Sequence, residues 1–148
     1  MNIVESINNH TSLKEIHIFK QCSEDFQLPD ESVDLVFTSP PYFNTEHYSD
    51  ESTQSYVRHP TQERWANDFL YPTLKNGVNA LKKGGFIMIN IKSVKTFPDL
   101  EDVTQRFLRS FPNLKEHEKL DMLFNVLPQR QKEKGIMSSE PIFVFQKI

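Results

Sequence analysis

Val33-Asp34-Leu35-Val36-Phe37-Thr38-Ser39-Pro40-Pro41-Tyr42 carries the strongest structural signal in the chain. Its first six residues are rich in β-formers, which suit a pleated strand packed against neighbours. Two prolines then remove two ladder donors. The strand is therefore expected to end at Thr38, with Ser39-Pro40-Pro41-Tyr42 at its carboxyl end.

Upstream of this stretch, Ile16 to Phe19 reads as a short strand. Downstream, a polar stretch from Asn44 to Pro60 leads to Thr61, which can cap a helix. Trp65, Phe69, Leu70, Leu74, Val78 and Leu81 then recur at helical spacing and read as core. Pro72 is expected to kink or divide that helix. Lys82-Lys83-Gly84-Gly85 is expected to end it, with cations in the last turn and glycine beyond. Phe86 to Ile91 reads as a fully buried strand. Asp99 to Phe111 reads as a second amphipathic helix, capped by Asp99 and stopped by Pro112. Leu120 to Leu127 and Pro141 to Ile148 read as two further strands across a polar loop, able to pair as an antiparallel hairpin at the sheet edge. Strands alternating with helices imply an α/β class with a mainly parallel sheet. With no repeat and no linker visible, residues 1–148 are expected to form a single domain.

Composition narrows the function classes. One cysteine among 148 residues excludes a disulfide framework, and Cys22 reads as a small buried residue rather than a nucleophile. The five histidines, His10, His17, His47, His59 and His117, show no ligand spacing, so no metal site is expected. Met1 to Lys20 contain no continuous apolar run, so neither a signal peptide nor a membrane span is visible and a cytoplasmic location is expected. The formal net charge of -3 has the wrong sign for bulk attraction to phosphates. Any contact with DNA must then be local, or shared with another chain. Tyr48, Tyr56 and Arg58 sit in the polar loop after the prolines, where a nucleic-acid-facing or lid role and plain packing are equally open.

In open α/β sheets ligands bind outside the carboxyl ends of the strands, where Ser39-Pro40-Pro41-Tyr42 falls. Two successive prolines give a rigid turn that presents carbonyl oxygens with few competing N–H groups, a surface suited to an exocyclic amine.

VDLVFTSPPY, Val33 to Tyr42, resembles the catalytic motif of the amino-methylating DNA methyltransferases, in which an apolar strand runs into Asp, Asn or Ser and then Pro-Pro-Tyr or Pro-Pro-Phe. The resemblance implies that Ser39 and the Pro40 carbonyl accept hydrogen bonds from the amino group of a flipped-out base. It places Pro41 within the rigid turn and Tyr42 as the wall on which the base stacks, with Phe43 extending that platform. Stacking of this kind is worth about 1–3 kcal/mol, against a few kcal/mol to extract the base. Ser23-Glu24-Asp25-Phe26 matches the segment that holds S-adenosylmethionine, with Asp25 and Phe26 as the matching positions and Glu24 as the competing acid. The helix running into Leu81-Lys82-Lys83-Gly84-Gly85, and the strand Glu140 to Phe145, follow the same pattern.

The resemblance implies a partial Rossmann-like methyltransferase fold, the C-terminal half of the sheet with a closing hairpin. It implies methylation of cytosine N4, favoured by the serine, or adenine N6, in a restriction-modification or phage setting. The family's Phe-x-Gly-x-Gly turn, which lets the backbone approach the cofactor, has no counterpart among Gly77, Gly84, Gly85 and Gly135. A second chain or segment is therefore expected to supply it. A non-catalytic remnant or subunit, and methylation of RNA or of a protein amide, are the alternative readings.

Overall fold

The computed structural model describes residues 16–47, 49, 51–123 and 139–148. Strand β1, Val33–Thr38, pairs in parallel with β2, Leu81–Asn90, which pairs antiparallel with β4, Ser139–Lys147. On the far side of β4 lies β3, Leu114–Leu123, also antiparallel, so the sheet order is β1-β2-β4-β3. The expected hairpin forms with β3 at the sheet edge, but its first arm begins at Leu114 rather than Leu120. The expectation of a mainly parallel sheet is corrected, because this hairpin inserts β4 between β2 and β3 and leaves one parallel pair and two antiparallel ones. Strand β3 is almost wholly exposed and carries Lys115, Glu116, Glu118, Lys119 and Asp121, charges that discourage pairing with a further chain.

A short helix, α1 (Ser55–Arg58), precedes a longer helical stretch. The latter comprises α2 (Gln62–Trp65), a π turn (Ala66–Leu70) and α3 (Tyr71–Ala80). Thr61 caps its start as expected, its hydroxyl accepting from Arg64 N–H at 3.2 Å. The wide turn directly precedes Pro72, which has no N–H for the carbonyl of Asp68, so the chain passes the ring by widening rather than breaking. Trp65, Phe69 and Leu74 are buried in the core, as their spacing predicts.

Helix α3 ends one turn earlier than expected. Leu81 already pairs with Val33, and Lys82 to Gly85 form a bulge opposite the single residue Asp34 before Phe86 rejoins the ladder at Leu35. Gly84 takes φ +85° in this bulge, and a Cβ on Gly85 would stand 2.9 Å from the Asp34 carbonyl oxygen. The cation at the helix terminus is Lys147, from the far end of the chain. Its buried ammonium donates to the carbonyls of Leu81 at 2.6 Å, Val78 at 3.3 Å and Asn79 at 3.4 Å.

Helix α4, Leu100–Arg109, buries Leu100, Thr104 and Leu108 along one stripe. Asp99 occupies its N-cap position but makes no side-chain capping bond. Ser93 does that work: its hydroxyl accepts from Glu101 N–H at 3.1 Å, while Glu101 Oε1 accepts from Ser93 N–H at 3.0 Å.

Ile16 to Phe19 is irregular rather than a strand, with Ile18 and Phe19 exposed. A four-residue stretch such as Ile16-His17-Ile18-Phe19 becomes a strand only when an edge pairs with it, and no described strand pairs with the outer edge of β1. Leu35 and Phe37 on that strand are 54% and 57% exposed. The stretch Phe124 to Leu127 and the loop beyond it lie outside the described residues.

Candidate active site

Because β1 and β2 run parallel and Thr38 faces Ile89, the first residue beyond β1 meets the last residue of β2. Ser39 is exposed, and its hydroxyl donates to the Oδ1 of buried Asn90 at 3.2 Å. Pro40 is buried and Pro41 partly so. Phe43 N–H takes the Pro41 carbonyl at 3.0 Å, whereas among the described residues no N–H reaches the carbonyl of Pro40. Ser39 Oγ thus stands exposed at the carboxyl end of β1, directly followed by the buried Pro40, whose carbonyl takes no N–H among the described residues.

Tyr42 turns back into the molecule. Its hydroxyl donates to Glu140 Oε2 at 2.8 Å and lies 3.2 Å from Asn90 Oδ1. Burial first, and then the Glu140 carboxylate, push the phenol well above the ordinary tyrosine range, so it stays a donor. Tyr42 is only 9% exposed, so a base could stack on its ring only after the covering side chains move. Phe43, expected to extend the platform, is 6% exposed and packs edge-on against Trp65 and Phe97, each at 6.0 Å between ring centroids. Its φ of 55° carries the chain inward, and its ring belongs to the core.

The acidic segment is not brought to Ser39, but part of it lies behind Pro41. A cavity of about 590 Å³ is lined by Pro41, Cys22, Glu24, Gln54, Ser55 and Phe69, among others. Glu24, with its side chain 7% exposed, bonds Arg58 Nη1 at 2.5 Å. Asp25 has its side chain 65% exposed, stands 3.9 Å from Arg58 Nη2 and does not line this cavity. Of the two acids, Glu24 lines this cavity and Asp25 does not. Phe26 packs tilted against Phe19, with 5.0 Å between ring centroids, and lines a smaller cavity with Val36 and Gly77. A further cavity of about 500 Å³, against Tyr71, Pro72 and Phe107, contains none of Ser39 to Tyr42.

Arg58 is engaged by Glu24 and also donates to Cys22 Sγ at 3.1 Å, so its charge is directed inward. Cys22 is half-buried, more open than expected, with that guanidinium against its sulfur. Tyr56 bonds His47 Nδ1 at 2.9 Å and packs on the core. Tyr48 lies outside the described residues. No helix among the described residues is long and apolar enough to cross a membrane.

Asn90 and Glu140 are the site residues that sequence reasoning missed. Asn90 interrupts the apolar run Phe86 to Ile91, and a lone amide in a buried strand is the signal that was available.

The model of the N6/N4 DNA methylase family matches residues 33–147. No curated protein sequence matches the chain. Among solved structures, a candidate DNA modification methylase of Thermus thermophilus superposes with a TM-score of 0.52 at 20% identity. The match covers 81% of this chain and 47% of that one. A second structure of that protein, in complex with S-adenosyl-L-methionine, gives 0.49 at 19% identity, covering 84% and 51%. A SAM-dependent O-methyltransferase of Thermotoga maritima gives 0.42 at 12%, covering 87% and 38%. The chain thus spans about half the length of the Thermus protein, and the first likeness shows the fold: part of a Rossmann-like methyltransferase sheet. With the family model running from β1 through β4, the chain belongs to the N6/N4 DNA methylase family.

Proposed function

We propose that this chain is the base-capturing part of an enzyme that transfers a methyl group from S-adenosylmethionine to the exocyclic amine of a DNA base, cytosine N4 in preference to adenine N6. The observation that carries the reading is the exposed Ser39 Oγ, held by Asn90 at the carboxyl end of β1, with the unbonded Pro40 carbonyl read as its companion acceptor. An aryl amine is a poor nucleophile because its lone pair is delocalised into the ring. Acceptors on its two N–H bonds favour a more tetrahedral nitrogen whose lone pair is free to attack. Tyr42, held by Glu140, gives the flipped base a rigid wall once its cover is displaced. Serine before Pro-Pro follows the habit of the cytosine enzymes.

When bound, S-adenosylmethionine supplies an electrophilic methyl group on its sulfonium. The residues present fit part of it: the cavity behind Pro41 offers the Glu24 carboxylate and the Phe69 ring, with Asp25 and Phe26 on the same segment. Among the described residues no Gly-rich turn completes the fit, since Gly77 lies in α3 and Gly84 and Gly85 in the β2 bulge. A further segment, on this polypeptide or a second chain, supplies that turn, and residues 1–148 form one partial catalytic domain.

Fluorescence anisotropy with labelled oligo(dC), oligo(dA) and oligo(dU) tests the base-capture step, since cytosine and uracil differ at position 4 in amine against carbonyl. The reading expects oligo(dC) to bind tightest, oligo(dA) next, and oligo(dU) weaker than oligo(dC) by roughly tenfold, the value of one well-made hydrogen bond. Equal affinity for all three would refute it.

A further inference from the structure

The geometry points to Asn90 as a positioning residue that makes Ser39 an obligatory hydrogen-bond acceptor, so that the end of β1 selects a base by its exocyclic amine. The inference rests on the function proposed above. A serine hydroxyl is ambivalent, with one proton to give and two lone pairs to offer. Facing an amine it must accept; with its proton turned outward it would favour a carbonyl, such as O4 of uracil or thymine, instead.

The direction of the Ser39 proton is set from behind. Asn90 is 3% exposed, and its amide has one workable orientation, because Nδ2 donates to the Pro141 carbonyl at 3.2 Å. That orientation aims Oδ1 at Ser39 Oγ and Tyr42 Oη, each at 3.2 Å. Tyr42 has a single proton, and the Glu140 carboxylate at 2.8 Å takes it in the shorter, charge-assisted bond. Ser39 is then the donor left for Asn90 Oδ1, and its lone pairs stay on the exposed side. An asparagine or aspartate at position 39 would present an acceptor oxygen with no proton to direct. A serine at that position needs an inward acceptor for its proton, and Asn90 Oδ1 at 3.2 Å is the principal one, with Tyr42 Oη beside it.

The test reads the ratio of oligo(dU) to oligo(dC) dissociation constants in wild type, Ser39→Asn, Asn90→Leu and the double variant. Trp65 fluorescence in urea confirms that each is folded, and Asn90→Val serves if Asn90→Leu is not. The wild-type ratio is expected to be roughly ten, one hydrogen bond's worth. It should fall to about one in Asn90→Leu or Asn90→Val, and return towards the wild-type value when Ser39→Asn is added, because an amide oxygen needs no direction. A packing role for Asn90 would not be rescued in this way. A wild-type ratio surviving in the Asn90 variants, or a double variant that stays near one, overturns the inference and leaves the proposed function standing. A wild type without preference for cytosine removes the proposed function, and this inference with it.

Discussion

Replacing Tyr42 with phenylalanine keeps the ring and deletes one oxygen, which isolates the bond that ties the Pro-Pro turn to β4. That bond is a phenol donating to a carboxylate at 2.8 Å, in a half-buried setting. Hydrogen bonds to charged groups contribute about 1.5–3 kcal/mol. Glu140 is only partly buried and can recover water, so the expected loss is at the lower end, about 1.5–2 kcal/mol. In a chain of this size that corresponds to roughly 3–8 °C in Tm. Urea unfolding followed by the fluorescence of Trp65, the single tryptophan and fully buried, measures it directly. The midpoint should fall at an unchanged slope. The pH dependence gives a second handle. The folded chain holds the Tyr42 proton where an unfolded tyrosine has lost it. Its stabilisation is therefore complete below about pH 10 and is lost as the pH rises through the higher folded-state value. The difference between wild type and Tyr42→Phe should shrink above about pH 10, with the other tyrosines cancelling. A difference under about 0.5 kcal/mol at neutral pH would refute the tie between turn and strand.

Other perturbations address the scaffold that holds the site. Lys147→Met removes the buried ammonium shared by the Val78, Asn79 and Leu81 carbonyls and should cost about 1.5–3 kcal/mol in urea unfolding. Gly85→Ala forces a Cβ to within 2.9 Å of the Asp34 backbone oxygen and should destabilise by about 1–3 kcal/mol. Gly84→Ala meets nothing within 4 Å and carries only the strain of φ +85°, so it should cost less than Gly85→Ala, about 1 kcal/mol.

The elements that carry the site were legible because their signals are local. Val33 to Thr38 declares a strand by composition and its end by two prolines, and Phe86 to Ile91 declares another by an apolar run broken only at Asn90. Thr61 and the spacing from Trp65 to Val78 announce the helix between them. What was not legible depends on residues far apart in sequence. Lys82-Lys83-Gly84-Gly85 looks like a helix terminus because cation-then-glycine is the usual ending, yet its glycines serve a bulge against Asp34. The terminal cation instead arrives 66 residues beyond Leu81. Asn90 and Glu140 join Tyr42 across separations of 48 and 98 residues, which no window on the sequence reports. Phe43 was misjudged for a related reason: its neighbour's role suggests a surface, but its left-handed backbone turns it into the aromatic core.

The central claim is tested most directly by the nucleosides recovered from DNA incubated with this chain, the segment that supplies its Gly-rich turn, and S-adenosylmethionine at a concentration that saturates cofactor binding. Mass spectrometry should find N4-methylcytosine, absent from a parallel incubation with Ser39→Ala. Unmodified nucleosides under saturating cofactor, or a yield that Ser39→Ala leaves unchanged, would contradict the account.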